Sequence, residues 1–136
     1  VIDPHGSSCY CGANGCVESF ISGSGLEKRI KDKTGGALSA IDFFNMPLKD
    51  ESLKKIKQDF YAHFGQALAN LINILDPDIV VLGGGLSNEK SLYKEGVEEV
   101  YARIFNDTPT TPIVRNQLGD SAGVIGAALI GRGLTQ

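Results

Sequence analysis

One stretch constrains this chain more than any other. From Asp50 to Leu75 the residues Leu53, Ile56, Phe60, Phe64, Ala67, Leu68, Leu71, Ile72 and Leu75 recur at steps of three and four. That spacing predicts a long helix with one apolar face, and Asp50 and Glu51 suit its positive N-terminus. Pro77 stops it, because the residue before a proline is driven out of the helical region. Asp78-Ile-Val-Val-Leu82 follows, short, apolar and β-branched, the pattern of a buried parallel strand. Gly83, Gly84 and Gly85 come next without a break. A helix feeding a buried strand that ends in a glycine turn is an α/β arrangement.

The rest of the chain fits that class. Residues 1–15 carry turn chemistry: Asp3-Pro4, Gly6-Ser7-Ser8, Gly12 and Asn14-Gly15. Cys16 to Ile21 holds one or two helical turns, broken over Ser22-Gly23-Ser24-Gly25. Leu26 to Lys33 reads as a short basic helix ended by Gly35-Gly36. Ser39 to Asn45 reads as another, with Ser39 as N-cap, Asp42 third in the helix and Pro47 closing it. A helix is expected from Glu89 to Phe105 and a strand near Ile113 to Asn116. A last helix from Asp120 should pack closely through Ala122, Gly123, Gly126, Ala127 and Ala128. Repeats and linkers are absent from the pattern.

The chemistry concentrates near the start. Cys9, Cys11 and Cys16 form C-x-C-x4-C, and the 136-residue chain holds no other cysteine. An odd, tightly clustered count is a poor disulfide framework and a better metal site. Zinc takes four soft or borderline ligands in a tetrahedron, and Gly12 and Gly15 supply the positive φ that lets a loop wrap an ion. Three thiolates leave one ligand to find, for which His5 is the candidate on spacing. Glu18 lies two residues beyond the last cysteine, so a metal-braced loop would set its position. A carboxylate held that way can accept hydrogen bonds from vicinal sugar hydroxyls; a glutamate in a first helical turn can also simply face the macrodipole. The glycine triplet sits where open α/β sheets place ligands, with no Cβ to keep a base or ribose away. By itself it reads equally as a tight turn, and it is no P-loop, since no Gly-Lys-Ser/Thr follows.

Composition narrows the partners. Thirteen basic residues against sixteen acidic ones give a net charge of -3 without a basic stripe, which argues against nucleic acid. No apolar run approaches the length of a membrane span. No signal peptide is evident, so the cytoplasm is the expected compartment. The chain opens on Val1 in what reads as a loop, which suggests a piece of a longer protein.

Cys9-x-Cys11-Gly12-x-x-Gly15-Cys16-x-Glu18, continued to Ser22-Gly23, resembles the signature of the ROK family (repressors, open reading frames and kinases). The resemblance extends through Asn73-Ile-Leu-Asp-Pro-Asp-Ile-Val-Val-Leu-Gly-Gly-Gly-Leu-Ser-Asn88 and Gly119-Asp-Ser-Ala-Gly-Val-Ile-Gly-Ala-Ala128. It implies the C-terminal part of an actin-like ATPase (ribonuclease H-like, hexokinase-type) fold, helix-rich with a few parallel strands. Residues 1–18 would then be a zinc knuckle and 19–76 a helical segment. Residues 77–136 would hold the adenosine-motif strand, glycine turn and final helices, with the N-terminal domain absent.

The same resemblance implies ATP-dependent phosphorylation of a hexose, with Mg2+-ATP as co-substrate, a structural Zn2+ and a full-length homodimer. Glu18 would bind the sugar and Gly83, Gly84 and Gly85 would line the adenine and ribose pocket. Asp120 with Ala122-Gly123 is similar to the family's terminal motif near the nucleotide cleft, and reads as well as an N-cap with close helix packing. The family's fourth zinc ligand is the histidine of a Gly-His pair upstream of Val1, which demotes His5. Its phosphate loop (Asp-x-Gly-Gly-Thr) and catalytic Asp have no match, so this chain alone should be inactive. Cys-Tyr-Cys-Gly and Glu-Ser-Phe-Ile-Ser-Gly look most like the fructokinase or mannofructokinase branch. Leu118 and Ile125 depart from it, standing where those members carry His and Arg. The rival implication is a sugar-sensing transcriptional repressor of the same family.

Overall fold

The computed structural model describes residues 1–106 and 110–133, with the backbone alone at 120, 122 and 133. Its elements in order are α1 (Val17–Ile21), α2 (Gly23–Thr34), α3 (Ala40–Asn45), α4 (Glu51–Leu75) and β1 (Val80–Leu82). Two 3-10 turns follow (Gly85–Asn88, Lys90–Tyr93), then α5 (Glu95–Tyr101), β2 (Ile113–Arg115), a 3-10 turn (Gly119–Ser121) and α6 (Ala122–Gly133).

Helix α4 forms the spine. The Asp50 carboxylate accepts from the backbone N–H groups of Ser52 (2.6 Å) and Leu53 (3.3 Å), satisfying donors that helical bonding leaves free. Asp76, in the left-handed region, closes the other end through its N–H to Ile72 O at 2.8 Å. Ile56, Phe60, Phe64, Ala67, Leu68 and Ile72 are buried as the periodicity requires. Leu71 and Leu75 are exposed instead, because the last turns of α4 run past the described elements that cover its middle.

Onto this face pack Leu26 and Ile30 of α2, Phe43 and Phe44 of α3 and Val100 of α5. Phe44 meets Phe60 edge-to-face, centroids 5.2 Å apart. Each fully buried Phe or Leu contributes about 1.5–3 kcal/mol. The Ser39 cap on α3 is as expected: its hydroxyl accepts from Asp42 N and donates to Asp42 Oδ2 at 2.7 Å.

Strands β1 and β2 pair in parallel, Val80 opposite Ile113 and Leu82 opposite Arg115. Val80 and Leu82 face the core, whereas Val81 is 55% exposed, so the expectation of a fully buried strand is corrected. The described residues cover one face of this two-stranded sheet and leave the other open.

Three other expectations change. The break after α1 is Ser22 alone: its hydroxyl caps α2 by accepting from Gly25 N at 2.9 Å, and Gly23-Ser24-Gly25 form that helix's first turn. The helix expected over 89–105 is a 3-10 turn and then α5, because Glu89 accepts from Ser91 N and winds the chain tightly there. Among the described residues helix α6 does not make the close packing read from its small residues; none of them lies within 4 Å of a Cβ built on Gly123 or Gly126. No helix among the described residues is long and apolar enough to cross a membrane.

Candidate functional site

The cysteine loop folds back on itself. Cys9 N–H donates to Ala13 O (2.8 Å), Gly12 N–H to Cys9 O (3.0 Å), and Gly15 N–H to Ser7 O (2.9 Å). Gly12 and Gly15 hold φ of 89° and 64°, as their place in the pattern required. The three sulfurs converge within 4.8 Å of one another, and Cys11 Sγ is 3.5 Å from Cys16 Sγ. A tetrahedral zinc with bonds near 2.3 Å sets sulfurs about 3.8 Å apart, so these thiols fit three corners of such a site. His5 is outside that group; its backbone N–H donates to Asp3 Oδ1 at 2.9 Å.

The thiols share protons unequally. The Ala13 backbone hydrogen bond, with help from the neighbouring cysteines, holds Cys11 below the usual thiol range. Hydrogen bonding to Cys11, then to Cys9, pushes Cys16 up to about 11. A divalent cation would bind these groups as thiolates and release their protons.

Glu18 stands in the first turn of α1 between two anchors. Two residues before it, Cys16 belongs to the sulfur cluster. Two residues after it, buried Phe20 stacks on His63, centroids 4.0 Å apart, with the Arg29 guanidinium 5.4 Å from the Phe20 ring centre. The Glu18 carboxylate makes no hydrogen bond or ion pair with the described residues. It lines a cavity of about 320 Å³ with Ser19, Ser22 and Lys28 on one side and Cys9 and Tyr10 on the other. Knuckle and carboxylate therefore share one concavity, within the size range of small-molecule sites. Sequence reasoning had not placed Ser19, Ser22 and Lys28 here. No sequence signal marks them as a group, since Ser22 is the extended junction between α1 and α2 and Lys28 comes from the second helix.

The glycine turn lies elsewhere, at the carboxyl end of β1. Gly84 has φ 81° and ψ 177°, a conformation only glycine adopts freely. Among the described residues nothing lies within 4 Å of a Cβ built on Gly83, Gly84 or Gly85. Gly85 lines a second cavity of about 320 Å³ with Phe44, Asn45 and Asn88; Gly83 and Gly84 are not among its walls. Asp120 lies in the 3-10 turn before α6; its side chain and that of Ala122 are outside the described set. Leu118 is 59% and Ile125 39% exposed. Sequence reasoning missed Ser87 and Asn116, which hold the glycine turn from below. The only hint was a serine shortly after the triplet.

A curated N-acetyl-D-glucosamine kinase of Pasteurella multocida (strain Pm70) is 37% identical over 123 residues, which are 90% of this chain and 40% of that protein. The chain thus spans about two fifths of that relative's length. Among solved structures, a ROK hexokinase from Thermus thermophilus superposes with a TM-score of 0.78 at 32% identity, covering 93% of this chain and 44% of that one. A ROK family transcriptional regulator, a homologue of the Escherichia coli MLC protein, gives 0.73 at 25% identity, covering 98% and 37%. These likenesses agree with the expected class, an α/β part of an actin-like ATPase fold. The family model for the ROK family matches residues 1–133, and the chain belongs to that family.

Proposed function

We propose that the full-length protein transfers the γ-phosphoryl group of ATP to a hydroxyl of a hexose or 2-acetamidohexose. This chain would supply the sugar-holding Glu18, the metal knuckle that braces it, and the glycine turn that seats the adenosine. The observation that carries the reading is Glu18 itself: a carboxylate without a partner among the described residues, tethered on both sides, in the wall of a 320 Å³ cavity.

Cys9, Cys11 and Cys16 would hold a structural Zn2+, with the fourth ligand from another segment. The ion supplies rigidity and takes no part in proton or phosphoryl transfer. A rigid loop limits the arc through which Glu18 can swing, so its two acceptor oxygens meet vicinal hydroxyls without an ordering cost at each turnover. Gly83 to Gly85 would let adenine and ribose approach the backbone. Phosphoryl transfer also needs a base for the attacking hydroxyl and groups on the phosphates. The Asp-x-Gly-Gly-Thr loop and catalytic Asp are not in this sequence, so the 136-residue chain by itself should release no ADP in response to sugar.

The likeness to N-acetyl-D-glucosamine kinase supports a 2-acetamido sugar beside fructose, mannose and glucose. Leu118 and Ile125, where fructokinase-like members carry His and Arg, weaken fructose within that set. Sugar-dependent ADP release by the full-length protein, measured with these four sugars, tests the reading; release with none of them would sink it. The likeness to a regulator favours a second reading, a sugar-sensing repressor. Binding of the full-length protein to a specific duplex DNA, relieved by sugar, would select it, whereas the intact Gly83–Gly85 turn supports the kinase.

A further inference from the structure

Ser87 is the buried polar residue of the described core, 2% exposed, and everything around it converges on the glycine turn. Its backbone N–H (3.0 Å) and its hydroxyl (2.7 Å) both donate to the carbonyl of Gly84. Tyr93 fastens it from the other side, donating its hydroxyl to Ser87 O at 2.6 Å. Asn116, the first residue past β2, gives its backbone N–H to Leu82 O at 2.9 Å. Its side-chain amide donates to the same oxygen at 3.2 Å and to Ser87 Oγ at 3.1 Å.

The direction of these bonds is forced. Leu82 O can only accept, and the Ser87 hydroxyl has given its proton to Gly84, so both neighbours need the Asn116 nitrogen. Turning the amide over would set oxygen against oxygen. Asn116 Oδ1 is therefore left buried without a partner among the described residues. A buried acceptor without a protein partner is a cost that an apolar residue of similar size would avoid. Departures from local economy of this kind mark positions held for function. What the amide holds is the junction of strand and turn, Leu82 to Gly84, beneath the open face where no Cβ stands.

We propose that Ser87 and Asn116 are positioning residues for the nucleotide. Together they lock Gly84 in its positive-φ conformation and keep the face of the turn shaped for a base and ribose. The inference rests on the adenosine reading of Gly83 to Gly85. Neither residue touches the nucleotide; both act through the Gly84 and Leu82 carbonyls.

The test uses the full-length protein with Ser87→Ala, Asn116→Ala and Asn116→Asp, the last keeping the shape while placing an oxygen where the nitrogen donates. Each variant should raise KM for ATP about tenfold, the effect of losing one buried hydrogen bond that positions a ligand, with KM for the sugar within twofold. Unfolding temperature is read alongside. KM for ATP within twofold of wild type in Asn116→Asp and Ser87→Ala overturns the proposal, as does an equal rise in both KM values, which reports general loosening. If either alanine variant fails to fold, Asn116→Asp alone decides on the same two criteria. Should the wild type phosphorylate no sugar, the kinase reading falls first; should it be active with flat variants, only this inference falls.

Discussion

Gly15 rests directly on the carbonyl of Asp3: a Cβ built on Gly15 would stand 1.5 Å from that oxygen. Its φ of 64° adds a conformational demand to the steric one. The contact ties the far end of the cysteine loop to the first residues of the chain, where Ile2 N–H also donates to Gly15 O at 2.8 Å.

Gly15→Ala should therefore open the loop. The left-handed conformation alone costs a non-glycine residue about 1–2 kcal/mol, and the clash with Asp3 adds to it. Gly12 has φ 89° but open space around it, so Gly12→Ala should show the conformational cost only. Denaturant midpoints of the two variants, with bound zinc measured in each, compare the effects. Equal losses would show that the Asp3 contact contributes nothing.

Cys16→Ser replaces a soft thiolate by a hydroxyl in a site with three sulfurs within 4.8 Å. Zinc per chain should fall below half of the wild-type content by elemental analysis. If Glu18 holds the sugar, its tether through the same loop means that KM for the sugar should rise about 10–100-fold, the range for groups that orient a ligand from behind. Chelation of the wild type should reproduce the effect. Undiminished zinc in the variant would remove Cys16 from the ligand set.

Glu18→Gln keeps the side-chain shape and removes the charge. If this carboxylate receives the sugar hydroxyls, kcat/KM for the sugar should drop about 10–100-fold, the range for hydrogen bonds to a charged group. KM for ATP should stay within twofold, since Glu18 and Gly85 of the glycine turn line different cavities. An exposed glutamate without partners among the described residues contributes little to folding, so stability should change by less than about 0.5 kcal/mol. An unaltered sugar KM and kcat would place the sugar elsewhere.

Tyr61 predicts an alkaline limit. It is 8% exposed, its hydroxyl donates to Ser91 Oγ at 2.6 Å, and burial pushes its phenol up to about 12. An unfolded tyrosine loses its proton near pH 10. Between about pH 10 and 12 the unfolded chain thus holds fewer protons than the folded one, and stability falls as pH rises. The contribution is complete below about pH 10 and lost as pH climbs through 12. Denaturant midpoints at pH 9, 10 and 11 should decline more steeply for wild type than for Tyr61→Phe. Parallel slopes would mean that this phenol does not titrate with unfolding.

Much of this was legible from local chemistry. Ser39 and Gly35 cap the helices they were expected to cap, and Asp50, expected only to suit the positive N-terminus of α4, caps it as well, because capping is a matter between residues two to four apart. The convergence of Cys9, Cys11 and Cys16 was legible for the same reason: eight residues with two glycines have few ways to close. The winding of residues 85–101 was not. It depends on Tyr93 reaching Ser87 and Tyr61 reaching Ser91, contacts that no helical period encodes.

By itself, then, the sequence determined the long helix, the parallel strand with its glycine turn, and the cysteine loop with Glu18 two residues beyond. Each is set by periodicity, by turn residues or by ligand spacing over a few positions. Only the tertiary structure decided which apolar residues are covered, since burial of Val81 or Leu75 depends on surfaces distant in the chain. It alone brought Ser22 and Lys28 into the cavity of Glu18 and joined Asn116 to Leu82 and Ser87. Those pairings join separate elements, and their geometry follows from how helices and strands pack rather than from the residues beside them in sequence.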